Sequence, residues 1–591
     1  MKGIVRLIRT GIAMKGIVRL LRTGITMKGI VRLIKTGITG VLILMPSGVF
    51  PQSVVNSLHN LSVSGPGEVR AASETEICVF CHTPHHSQPS SPLWNKDDAG
   101  YTYTLYHSST VQAAPGQPDG SSILCLSCHD GTTALGSVLS RSGSISMTGG
   151  VTTMPEGTSN MSTDLADDHP LSFDYTTSLA SADGQLRDPA SLVPPVALEN
   201  GRVQCTSCHD PHRDLTGSFL VVTNQFSELC VSCHNRDYWL ASSHHQSTST
   251  WNGNGTDPWP RSNFQNVMEN GCENCHNPHS AGNKLRLMNH LAEEDNCLGC
   301  HNGNVASTNL VMQLTKPYLH NVYGYNLDHD AAEPALLLSM HVECEDCHNP
   351  HAVNGSPASA PAANGFLAGV RGVDQNGNPV DPLQYAYELC YRCHADSPSK
   401  PSGRTARQVE QNNVRLEFDP ANPSHHAVTQ SGPNPNVPSL IPPLTESAVI
   451  YCTDCHSSDG TGSPSGPHGS IYPGQLRYRY LTADLTMESP SAYELCYHCH
   501  SRTSILNNES FDDHDKHIRD LQTPCNACHD PHGISHTQGT QVNHSHLINF
   551  DLNIVSPSNN GSLRYESTGV FSGRCYLSCH GRNHMGWHYG Y

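Results

Sequence analysis

The 24 cysteines of this chain fall into twelve pairs, and each pair is followed at once by a histidine. Eleven pairs have the spacing Cys-x-x-Cys-His. They are Cys78/Cys81 with His82, Cys125/Cys128 with His129, Cys205/Cys208 with His209, Cys230/Cys233 with His234, Cys272/Cys275 with His276, and Cys297/Cys300 with His301. Further along come Cys344/Cys347 with His348, Cys390/Cys393 with His394, Cys452/Cys455 with His456, Cys496/Cys499 with His500, and Cys525/Cys528 with His529. The twelfth, Cys575/Cys579 with His580, has one extra residue between its cysteines. Two thiols three positions apart can add to the two vinyl groups of one porphyrin. The next residue then lies under the iron, where histidine supplies an axial nitrogen. Structural zinc sites and redox disulfides also use Cys-x-x-Cys pairs, but neither requires the trailing histidine. Histidine makes up 38 of 591 residues, so eleven such successes by chance have a probability on the order of ten to the minus thirteen. The pattern implies covalently bound haem c, twelve groups with the wide motif included. For the wide pair alone the alternative is a disulfide.

That cofactor load changes what composition means. A chain of this length ordinarily suggests several domains, yet only 36% of its residues are hydrophobic, 49 are Gly and 40 are Pro. No long stretch sustains helical periodicity. Such a chain buries little by itself, whereas each porphyrin brings a large apolar surface tied to the backbone. The expected fold is mostly irregular coil with short helices, wrapped around a chain of closely packed haems, with little sheet. Short gaps group the motifs locally: Cys205 with Cys230, Cys272 with Cys297, Cys496 with Cys525. The phrases SELC, ending at Cys230, and YELC, ending at Cys390 and Cys496, read as single helical turns. Composition divides the chain into a leader (1–50), a four-haem module (51–250), a three-haem module (251–375), a linker region with one haem (376–440) and a four-haem carboxyl-terminal module (441–591).

Residues 1–39 are three near-identical 13-residue copies, each beginning with Met and together holding nine Lys or Arg and no acid. Beyond them 25 basic residues face 52 acidic ones. The copies lead into the apolar run 38–45, too short to span a bilayer, and read as a secretory signal. The alternative is a basic amphipathic anchor. No cysteine precedes Cys78, which argues against a lipoprotein. Export to the outer surface or medium is expected, with the periplasm as alternative. The acidity argues against nucleic acid and for cationic or mineral partners.

Each iron's sixth ligand decides between electron transfer and substrate binding. Of 38 histidines, 26 remain after one per motif. Pro-His recurs just after several motifs and marks His85, His212, His279, His351 and His532 as second-ligand candidates. His59, His169, His245, His320, His341, His426, His468, His517, His546 and His584 complete the candidate set; His244, His425 and His544 are neighbours able to substitute.

The phrases LHNLS at His59, CVFCHTPH, ILCLSCHDGTTALG, DDHPLSFDY at His169, VQCTSCHDPH, ECEDCHNPH, YCTDCHSSDG and HLINFD from His546 carry a resemblance. In them the chain resembles the multihaem c-type cytochromes with doubled C-x-x-C-H motifs from metal-reducing bacteria, including outer-surface, extracellular and filament-forming members. The resemblance implies bis-histidine electron carriers with haems stacked in a continuous series, some polymerising through a histidine that ligates a neighbour's haem. It implies partners among other multihaem cytochromes, extracellular metal oxides or electrodes. The reading is thus an electron carrier with no catalytic residues. Its rivals are a multihaem reductase with one open haem and a subunit of a conductive filament.

Overall fold

The structure is a computed structural model that describes residues 53–97, 100–325, 333–334, 336 and 341–590. The triplicated leader and the signal segment lie outside the described residues. Elsewhere the chain is mostly coil with short helices and a few small sheets. The longest helices are α1 (Gly120–His129) and α2 (Ala386–His394), and each ends on a cysteine motif. The other regular motifs also open in single helical turns, as at Cys205–Cys208, Cys344–Cys347 and Cys452–Cys455. An i, i+3 spacing places both thiols on one face of such a turn. The following histidine closes the turn: its N–H donates to the first cysteine's carbonyl at 2.8 Å for His82 and 3.0 Å for His348.

Local chemistry starts and stops these turns. In YELC of α2 the Glu388 carboxylate accepts from the backbone N–H groups of Gln384 (2.7 Å) and Tyr385 (2.9 Å), capping the helix start. At the far end of the Cys205–Cys208 turn His209 is already extended, with φ −120° and ψ 138°. Two residues on comes Pro211, and proline cannot continue a helix.

Three antiparallel ladders hold two residues per strand: Phe173–Asp174 with Arg202–Val203, Gly372–Val373 with Pro379–Val380, and Ser424–His425 with Gly533–Ile534. The largest sheet is the carboxyl-terminal meander β1 (Arg564–Gly569), β2 (Ser572–Cys579) and β3 (Arg582–Tyr589). The wide motif therefore lies in a strand, unlike the other eleven.

Apolar side chains gather in small separate clusters instead of one core. The largest joins Val373, Tyr387, Tyr391, Ala395, Phe418 and Val428; another holds only Ala71, Val79 and Phe80. Buried polar groups are numerous. Lys96, 1% exposed, donates from Nζ to the carbonyls of Leu135 (2.9 Å) and Ser137 (3.1 Å). Among the described residues no helix is long and apolar enough to cross a membrane.

Clusters this small do not offset the entropy of ordering so long a coil. The chain made without haem attachment is expected to give a coil-like far-ultraviolet circular dichroism spectrum and no cooperative thermal transition. A cooperative melt of that apoprotein would show that protein contacts suffice.

Candidate haem sites

Imidazoles meet in pairs throughout the structure. Numbering the motifs 1 to 12 along the chain, the first eleven motif histidines each face one other histidine. The pairs are His82–His212, His129–His59, His209–His279, His234–His169, His276–His351 and His301–His244. They continue with His348–His468, His394–His320, His456–His532, His500–His426 and His529–His514. A twelfth pair joins His517 and His584. Ring centres lie between 5.9 Å (His456–His532) and 6.4 Å (His517–His584) apart. Two axial bonds of about 2 Å, each with about 1.1 Å from nitrogen to ring centre, add to about 6.2 Å. The gap in each pair is the width of a six-coordinate iron.

The pairs follow a rule. Odd-numbered motifs up to the ninth face the Pro-His belonging to the motif two further on: 1 with His212, 3 with His279, 5 with His351, 9 with His532; motif 11 faces the earlier His514 instead. Motif 7 obeys it through Pro467-His468, displaced from motif 9 by an insertion. Even-numbered motifs face a histidine from an earlier stretch, as motif 4 faces His169 and motif 10 faces His426.

The proline carbonyl couples odd to even. Nδ1–H of His59 donates to Pro211 O (3.1 Å), that of His244 to Pro350 O (2.8 Å), that of His320 to Pro467 O (3.1 Å) and that of His426 to Pro531 O (2.5 Å). At the remaining unit the backbone N–H of His169 donates to Pro278 O at 2.8 Å. Each of these five Pro-His pairs thus presents its imidazole to one site and its carbonyl to the second histidine of the next, through the ring in four cases and the backbone N–H in one. Motif histidines use other carbonyls: His209 with Ser218 (2.8 Å), His276 with Arg286 (2.9 Å), His529 with His546 (2.9 Å). A proton held on Nδ1 leaves the Nε2 lone pair facing the gap. His351 departs from this pattern, since Arg236 Nη2 stands 3.2 Å from its Nδ1.

Burial keeps most of these rings neutral. It lowers His234 to about 3, and His301, His394 and His500 to about 4, helped by neighbouring imidazoles. A neutral imidazole binds iron without first shedding a proton. At His532 burial also lowers the pKa, but the buried Glu417 carboxylate, 2.8 Å from Nδ1, outweighs it and raises the ring to about 9.

Contacts between motifs alternate in kind. First cysteines come together side chain to side chain: Cys125 with Cys205, Cys230 with Cys272, Cys297 with Cys344, Cys390 with Cys452, Cys496 with Cys525. Second cysteines lie within electrostatic range of each other: Cys81 with Cys128, Cys208 with Cys233, Cys275 with Cys300, Cys347 with Cys393, Cys455 with Cys499, and Cys528 with both Cys575 and Cys579. Together these links run unbroken from motif 1 to motif 12 in chain order.

No disulfide joins any of the 24 cysteines, and those that touch belong to different motifs. Among the described residues the three-ligand grouping that converges on one point is His341, Glu343 and Asp346, with no cysteine in it. The geometry therefore fits haem c and not zinc. The wide motif fits less closely: its strand sets the two cysteine Cα atoms about 13 Å apart, against about 5–6 Å between Cβ atoms on a helical turn.

Of the sequence candidates, His59, His169, His212, His279, His320, His351, His426, His468 and His532 each face a motif histidine, while His517 and His584 face each other. The rest stand elsewhere. His85 is exposed; His245 lies edge-on to Trp239, and its neighbour His244 takes the site. His341 pairs with Glu333 at 3.3 Å. His546 offers its backbone carbonyl to His529 and not its ring. His580 Nε2 binds Asp484 Oδ1 at 2.8 Å. Sequence reading missed His514, whose spacing to His517, one helical turn, was the available signal.

Residues 197–238, 265–306 and 442–504 match the family model of the doubled CXXCH motif. Each matched segment holds one odd motif and the even motif after it, the unit that the proline carbonyl joins. Comparison with curated proteins gives no match. These doubled motifs indicate covalently bound haem c and a multihaem c-type cytochrome of the electron-carrying kind.

Glu417→Gln removes the negative acceptor from the His532 ring and with it part of the stabilisation of ferric iron. One haem is expected to rise by tens of millivolts, about 59 mV for each tenfold change in relative Fe(III) affinity. A spectroscopic redox titration checks this.

Proposed function

We propose that the chain carries twelve haems c, each iron held by the two imidazoles of one pair, in a single unbranched series along which electrons hop. The observation that carries this reading is the unbroken run of cysteine contacts, with an imidazole pair at every step. Neighbouring porphyrins attached to cysteines that touch or lie within electrostatic range of each other approach closely, as hopping requires. With two imidazoles at each iron, potentials lie toward the lower part of the haem range.

The role is respiratory electron export. The protein is exported to the outer surface or medium, with the periplasm as the alternative, and passes electrons to partner cytochromes, metal oxides or electrodes, as in metal-reducing bacteria. The acidic excess, 52 against 34 basic residues, suits cationic and mineral acceptors. A reductase needs an open iron, and the twelve imidazole pairs favour the carrier. A filament is the second reading, favoured by His85. Among the described residues the Pro-His of motif 1 faces no motif histidine, and it is exposed.

Oxidised holoprotein is expected to hold twelve haems by mass spectrometry and to show low-spin iron alone by electron paramagnetic resonance. A stoichiometric high-spin signal would put the reductase forward. His279→Ala should open one iron to carbon monoxide and slow end-to-end transfer at least tenfold. If His85 ligates a neighbour, His85→Ala disperses polymers in light scattering while every other spectrum stays the same.

A further inference from the structure

We propose that at the twelfth motif the iron-binding pair is His517 and His584, and that His580, the residue following the cysteines, is not a ligand. The inference rests on the haem reading given above and turns on how this one motif folds. In the regular motifs a helical turn carries the histidine onto the cysteines' face. Here β2 runs straight to Cys579, and His580 with Gly581 forms the two-residue turn into β3, with φ of 47° and 71° and Cys579 paired to Arg582. Two residues of positive φ make the tight hairpin turn whose twist matches its strands. At its tip the His580 ring is held by Asp484, Nε2 to Oδ1 at 2.8 Å.

The hairpin supplies another imidazole. Cys575, Leu577 and Cys579 alternate onto one face of β2. The cross-strand partner of Leu577 is His584, so His584 shares that face and stands between the two cysteines. Trp587, paired with Cys575, packs against it at 4.6 Å. Opposite lies His517 at 6.4 Å, the same separation as His500–His426. His517 donates Nδ1–H to Asp513 O at 2.8 Å, which leaves Nε2 for metal. Its place in the chain agrees independently: an even motif takes its partner from the stretch between the motifs two and one before it, and His517 lies between motifs 10 and 11.

The test uses full-length holoprotein, with haem content by intact mass, ferric spin state by paramagnetic resonance, and carbon monoxide binding by the reduced form. His584→Ala and His517→Ala should each open one iron per chain. The double variant should also open one and not two, because both rings serve the same atom. His580→Ala should keep every iron low-spin and bind no carbon monoxide. His517→Ala leaves the hairpin intact and reads the same iron should His584→Ala misfold. An iron opened by His580→Ala, or two opened by the double variant, overturns the proposal while leaving twelve haems in place. A wild-type mass with eleven haems would overturn the twelve-haem reading itself, and this assignment with it.

Discussion

The hydrogen bond between an imidazole and the carbonyl of a proline that precedes another imidazole organises this protein. Proline is suited to that place. Its φ is fixed and it has no N–H to satisfy, so only ψ is left to direct its carbonyl. When His426 Nδ1 reaches Pro531 O at 2.5 Å, two rings from distant segments are oriented by one contact. One is turned to His500 and the other, His532, to His456. Loss of such a bond would free both rings, and with them two adjacent gaps of iron width.

From that constraint follows the scarcity of ordinary core. Coil can take the place of helix and sheet because its backbone is pinned at each imidazole pair and each cysteine contact. The apolar clusters, such as Ala492, Tyr493, Leu506 and Ile518, sit beside the motifs as packing for them. The alternation of first-cysteine and second-cysteine contacts gives the series two kinds of joint. The proline carbonyls span only the second-cysteine joints, so the repeating mechanical unit is a pair of sites.

Much of this was legible in the residues because the chemistry is local. A cysteine pair and its histidine lie within five residues, and low apolar content with abundant Gly and Pro pointed to coil. The second imidazole was harder, since it comes from a remote segment and neighbouring rings compete. His244 and His245 differ in sequence by one position, and only the short helix Ser243–Gln246 decides which one faces His301. His546 stood in a phrase suggestive of a ligand, yet its carbonyl and not its ring is used. Pro-His recurs visibly in the sequence and marks ligand candidates; the proline's role as acceptor needs a partner that no linear spacing reveals. At the carboxyl end the strand register, invisible in spacing, separates His580 from His584.

The two-motif offset of the odd sites also bears on time. A chain made from its amino end presents His82 long before His212, and His209 long before His279. An iron seated at an odd motif up to the ninth would wait with one imidazole until the second following motif emerged, whereas an even motif finds its partner already made. Assembly on this scheme would advance like a zip with a fixed lag. The last two sites would close as soon as they appear, because His514 and His517 emerge ahead of His529 and His584.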